Sequence, residues 1–232
     1  INRAPAKVQA ALLEAMAERQ ISIGKTTYPL PELFLVMATQ NPIEQEGTYP
    51  LPEAQLDRFL MHVKVDYPNA AIEKDILTLV RNELIAQASD KDDTVSSNVN
   101  SAIVSQQAIF DARKQILQLH MAEPVEEYLV QLVVATRNPA AYDEDFAHAL
   151  DFGASPRATL ALDRCARAQA WLNGRDYVTP DDVQSVAHDV LRHRIIVSYE
   201  AEAKGIDADQ IIDQLLKPCL LYTSPSPRDL AV

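Results

Sequence analysis

Glycine is scarce in this chain, with five among 232 residues at positions 24, 47, 153, 174 and 205. A phosphate-cradling loop needs clustered glycines so that backbone amides can point at the anion. The only imitation is Gly24-Lys25-Thr26, which has Arg19 where the first glycine of the motif belongs, and Pro29 and Pro31 where a helix should follow. It reads as a hairpin turn. Cysteine is rarer still, and Cys165 and Cys219 supply neither a disulfide framework nor metal-ligand spacing, which fits a reduced compartment. No apolar run approaches the roughly 18–20 residues of a membrane span. Positive charge is in deficit, 21 Lys and Arg against 33 Asp and Glu, and the net charge of −12 argues against a nucleic-acid groove.

What is present suffices for a packed core: 47% hydrophobic and 23% charged residues over this length fit one large or two small globular domains. The stretch Leu33–Phe59, LFLVMATQNPIEQEGTYPLPEAQLDRF, is the most informative. Its six opening residues, Leu33 to Ala38, are apolar without alternation, the pattern of a strand buried on both faces of a parallel sheet. Thr39-Gln40-Asn41 then turns polar and Pro42 ends the run. Ligands of open α/β sheets bind just beyond the carboxyl ends of strands, which is where Asn41 falls. Pro52 to Arg58 reads as a short helix with proline at its start, followed by Phe59–Val65, whose alternation predicts a half-exposed strand with His62 on the outer face.

Upstream, Ala4 to about Arg19 has helical spacing, with Val8, Leu12 and Met16 on one face. Ile21 to Leu30 reads as a small hairpin. From Ala70 onward the texture is helical. Helices are predicted over about Ala70–Ala88, Ser105–Leu119, Val125–Thr136, Ser155–Leu172, Thr179–Leu191 and Asp207–Leu216, with Ser89–Ser101 as a loop. Ser155 reads as an N-cap with Pro156 at N1, and Thr179 with Asp182 as a capping box of structural purpose. Cys165 shares an apolar face with Leu162 and Ala166. The break near Tyr67-Pro68-Asn69 separates an α/β piece from an all-helical one, and Pro218–Val232 reads as a disordered or foreign tail.

Three polar residues carry candidate chemistry. Asn41 can cap a turn before Pro42 or meet a ligand at the strand tip. Arg58 can pair locally with Asp57 or Glu53, or project towards another molecule. Arg157, in Gly153-Ala154-Ser155-Pro156-Arg157-Ala158, sits at the positive end of a helix, unfavourable by a few tenths of a kcal/mol unless an anion faces it. It is either a solvated surface cation or a phosphate contact.

Leu33–Phe59 resembles the MoxR family of AAA+ ATPases, and GASPRA resembles that family's sensor 2 segment. The resemblance covers about Ile1–Lys217 and extends to INRAP at residues 1–5 and to the hairpin, which matches a helix insert of the family. It implies the C-terminal part of a P-loop core, residues 1–68, with a parallel sheet between helices, and an all-α lid, residues 69–217. By the same resemblance Asn41 is sensor 1, which orients the attacking water. Arg58 is the arginine finger, acting on a neighbour's nucleotide, and Arg157 is sensor 2. ATP and Mg²⁺ are the implied cofactors, a ring of identical subunits (a hexamer) the implied assembly, and chaperone-like remodelling of client proteins in the cytoplasm the implied work. The phosphate loop and the acidic Walker B pair are expected upstream of Ile1, so the chain by itself is expected to be inactive. A non-catalytic adaptor derived from such a protein, or a chelatase-type motor sharing the insert, are the other readings.

Overall fold

The computed structural model describes residues 5–40, 51–89, 104–141 and 148–221. In chain order its elements are helix α1 (Ala6–Glu18), strands β1 (Gln20–Ile23) and β2 (Thr26–Pro29), helices α2 (Glu53–Leu56), α3 (Ala70–Ser89), α4 (Gln106–Gln118) and α5 (Glu123–Arg137), and a 3₁₀ turn at Pro139–Ala141. Strand β3 (Leu150–Phe152), helices α6 (Pro156–Leu172) and α7 (Pro180–Leu191), strand β4 (Ile196–Val197) and helices α8 (Tyr199–Ala203) and α9 (Ala208–Leu221) follow. The chain divides into two compact units, one of Ile1–His62 with Gln106–Val232, the other of Val63–Ser105.

The smaller unit contains α3, started by Asn69, whose side-chain oxygen accepts the amides of Ala71 and Ile72 at 3.1 and 3.0 Å. That bonding satisfies two of the orphan donors of a helix start.

The larger unit holds the core. Its stripe runs through Tyr128, Leu129, Leu132 and Val133 of α5, Leu162 and Cys165 of α6, Val183 and Val190 of α7, and Ile211 and Ile212 of α9. The buried face of α6 is mostly alanine (Ala158, Ala161, Ala166, Ala170), and small side chains let α6 and α7 pack along each other closely. Cys165 is a buried thiol among them, and burial raises its pKa to about 11, so it is a small hydrophobe and no nucleophile. Three helix starts, those of α6, α7 and α9, are capped as their sequences dictate. Ser155 Oγ accepts the Arg157 amide, the carboxylate of Asp182 accepts both the amide (2.9 Å) and the hydroxyl (2.8 Å) of Thr179, and Asp207 and Gln210 exchange bonds of 2.8 and 3.1 Å. Buried Asp182 also pairs with Arg175; burial opposes its ionisation, but Arg175 and Thr179 outweigh that and hold its carboxyl below the usual range.

One glycine is obligatory. A Cβ on Gly153 would fall on the Thr136 carbonyl and lie 2.7 Å from Arg137 Cα, both backbone and unable to swing away. The next residue is tied to the same helix end: Ala154 N–H donates to Thr136 Oγ at 2.9 Å, and Arg137 Nε donates to the Ala154 carbonyl at 2.8 Å. The C-terminus of α5 therefore fixes where α6 begins.

The described residues form two small sheets, each an antiparallel pair. β1 and β2 form the expected hairpin, Ser22 opposite Thr27, with Gly24 at φ +65° in the turn. Ser22 Oγ also donates to Glu14 of α1 at 2.7 Å, tying hairpin to helix. β3 pairs with β4, with a register irregularity between Leu150 and Phe152.

Four expectations differ, in whole or in part, from what the described residues show. Leu33–Ala38 has no ladder partner among the described residues, and Leu35 and Met37 are 79% and 82% exposed. A strand is buried on both faces only when ladders and layers flank it, and the described residues bring none to this run. Phe59–Val65 is not a strand either, because side chains of another segment take up the backbone groups of its first half, as described below. On α1 the predicted face holds only in part: Leu12 and Met16 are half-buried beside buried Gln9 and Ala15, while Val8 is exposed. Helix α9 runs on through Pro218 to Leu221, past the predicted end; residues 222–232 lie outside the described residues.

Candidate functional site

Asp57 is the centre of the site. It caps the C-terminus of the one-turn helix α2, and its carboxylate faces the first turn of α6. Ser155 Oγ donates to its two oxygens at 3.0 and 2.9 Å, Arg157 Nη1 donates at 2.9 Å, and Arg194 Nε at 3.2 Å. Burial of Asp57 works against its charge, but the bonds from Arg157 and Ser155 and the positive field of Arg194 prevail and hold the carboxyl below the usual carboxylate range. The anion that a cation in the first turn of α6 requires is thus supplied by the protein itself.

Arg192-His193-Arg194, just past α7, grips the segment after α2 through its main chain. The buried Arg194 guanidinium donates to the carbonyls of Asp57 (3.2 Å), Phe59, Leu60 (3.2 Å) and Val190. His193 Nε2 lies 3.1 Å from the Phe59 carbonyl; a carbonyl only accepts, so this nitrogen carries the proton. Arg192 donates to the His62 carbonyl at 2.6 Å, and His62 N–H returns a bond of 2.7 Å to the Asp189 carbonyl. Burial and the neighbouring Arg194 push the His193 pKa down to about 4, so it is neutral at pH 7. His62, exposed as expected, meets the His193 ring edge-on at 5.9 Å between centroids.

Asp57, Arg157 and Arg194 border a cleft of about 430 Å³ whose walls also include Arg19, Arg58 and Arg164, with Asp57 as the single carboxylate. In a chain of net charge −12, five arginines around one carboxylate make a local positive field that would attract an anion. Arg157 is half exposed and held by one carboxylate, so it can exchange Asp57 for a phosphate oxygen. Arg58 is exposed, and among the described residues its side chain makes no hydrogen bond or ion pair; of its two expected local partners, Asp57 and Glu53, Asp57 is occupied elsewhere. Arg58 and Arg157 thus border one cleft. Asn41 lies outside the described residues. No three His, Cys, Asp or Glu side chains converge to hold a metal ion among the described residues. No described helix is long and apolar enough to cross a membrane.

Sequence reasoning missed Asp57 and the Arg192–Arg194 triplet. The available signal was three consecutive cationic or titratable residues between apolar Leu191 and Ile195, where a solvated run is not expected.

Comparison with known proteins gives this arrangement its class. Residues 1–61 match the ATPase family associated with various cellular activities (AAA), and residues 143–215 match the AAA lid domain. The fold is that of an AAA+ ATPase with its lid. The crystal structure of a putative ATPase from Cytophaga hutchinsonii superposes with a TM-score of 0.80 at 48% identity, covering 94% of this chain and 63% of that one. Chaperone MoxR1 of Mycobacterium tuberculosis is 43% identical over 222 residues, 95% of this chain and 55% of the relative. Protein MoxR of Methylorubrum extorquens is 33% identical over 238 residues, 98% of this chain and 65% of the relative. This chain belongs to the MoxR family of AAA+ ATPases, and it spans a little over half to two thirds of these relatives.

Proposed function

We propose that this chain is the C-terminal part of the ATPase core, about residues 1–68, with the lid, about residues 69–217, of an ATPase that works as a ring of identical subunits, a hexamer, in the cytoplasm. The core is completed by a parallel sheet to which Leu33–Ala38 contributes a strand. ATP with Mg²⁺ is the cofactor, and hydrolysis at subunit interfaces drives chaperone-like remodelling of partner proteins, as the name of the mycobacterial relative suggests. Asn41 orients the attacking water as sensor 1. Arg157 contacts the nucleotide from the lid as sensor 2, leaving Asp57 when it does so. Arg58 reaches a neighbouring subunit's nucleotide and offsets the charge that develops during phosphoryl transfer.

The observation that carries this reading is the contrast between Arg58 and its neighbour. Asp57 is taken by Ser155, Arg157 and Arg194, and among the described residues the Arg58 side chain makes no hydrogen bond or ion pair, which leaves it able to project. The test is ATP turnover by the complete protein under ring-forming conditions. Arg58→Ala is expected to lower kcat by about 10³-fold or more, in the range known for arginine fingers, with assembly intact. Unchanged turnover would overturn the finger assignment, and absence of ATP turnover in the wild type would favour a non-catalytic adaptor.

A further inference from the structure

The guanidinium of Arg194 has five N–H groups, and all five are engaged: Nε with Asp57 Oδ1, Nη2 with the Asp57 and Phe59 carbonyls, and Nη1 with the Leu60 and Val190 carbonyls. Its side chain is 2% exposed. Four of those five acceptors belong to Asp57, Phe59 and Leu60, so the grip closes on both sides of Arg58 while leaving Arg58 itself untouched. His193 adds a second donor to Phe59.

We infer that Arg194 is the positioning residue of Arg58: it fixes the main-chain path on either side of Arg58 and so sets where the arginine points. This rests on the proposed trans-acting role of Arg58. The two arginines that hold Asp57 have different characters. Arg157 is half exposed and bound to one carboxylate, so an arriving phosphate can displace it; Arg194 is buried and bound to four carbonyls as well, so it stays. When Arg157 moves to a phosphate, Arg194 therefore keeps Asp57 and Arg58 in place. A lysine at this position has three donors on one atom and cannot span acceptors arrayed around a planar fork.

The test is a double-mutant cycle in the complete protein under ring-forming conditions, reading kcat, KM for ATP and assembly by sedimentation. Arg194→Gln and Arg194→Lys are each expected to lower kcat by at least about tenfold, with KM for ATP within about twofold and the ring intact, because misplacement of a group acting only in the transition state lowers kcat. In an Arg58→Ala background the same changes are expected to cost no more than about twofold further, since a positioning residue has nothing left to position. If Arg194→Gln fails to assemble, the cycle is read on Arg194→Lys, which keeps the charge. Equal fold-losses in both backgrounds, or wild-type kcat in both Arg194 variants, would overturn the inference while sparing the finger assignment. Full turnover by Arg58→Ala would overturn the finger assignment first, and the inference with it.

Discussion

The α5–α9 bundle and the run Leu33–Ala38 are built from the same kind of residue, yet Leu129, Leu132 and Leu162 are sealed in a core while Leu35 and Met37 face outward. A helix satisfies its own backbone, and its apolar stripe needs only another stripe from nearby in the chain. The bundle's helices provide those stripes to one another. An extended run must find both its hydrogen bonds and its cover on other segments. The comparison teaches that apolar density marks what has to be buried, and that chain topology decides whether a given stretch can achieve it.

The sharpest way to break this contrast is to truncate matching leucines. Leu162→Ala, on the buried face of α6, is expected to cost about 2–5 kcal/mol by chemical denaturation, the transfer loss plus a cavity. Next in size is a pH effect at the joint between bundle and strap. His193 stays neutral in the folded chain down to about pH 4, whereas an unfolded histidine takes its proton near 6.5. Between those values the unfolded chain binds more protons, so stability falls as pH drops from about 6.5 to about 4, by roughly 3 kcal/mol in all. Asp57 and Asp182, whose carboxyls are depressed, extend the loss further as they protonate below the usual carboxylate range. Denaturation midpoints measured across pH for the wild type and His193→Gln should show the upper limb flattened in the variant.

Gly153→Ala is expected to cost about 1–3 kcal/mol, because the new carbon meets backbone and the start of α6 must shift. The same measurement on Ala154→Gly, one position on, separates this clash from a general effect of substitution in the loop. Smallest is Leu35→Ser, expected to change the stability of this chain by no more than about 0.5 kcal/mol, as at other exposed sites. A cost near that of Leu162→Ala would mean that Leu35 is covered in solution.

Helices and their caps were legible because their causes are local. Ser155-Pro156, Thr179 with Asp182, and Asp207 with Gln210 lie within one turn of the backbone they satisfy, and the period of Leu129, Leu132, Val133 and Thr136 comes from a single helix. The site was legible only in part. The resemblance singled out Arg58 and Arg157, but Asp57, 100 residues from Arg157, gives no local sign that it joins them. Phe59–Val65 misled for a related reason. Its alternation is real, since Met61 packs on the core, but its backbone partners are side chains of residues 192–194 and the Asp189 carbonyl, and periodicity is blind to those.

The grip of Arg192, His193 and Arg194 on the segment before them has one more consequence. It reads carbonyl groups, which every amino acid carries, so the residues at 60 and 62 can drift without loosening it. Heritable variation is then unevenly distributed. The gripping triplet is constrained while much of the gripped strap is free to change. The exception is proline at 62, which would lack the N–H that His62 gives to the Asp189 carbonyl.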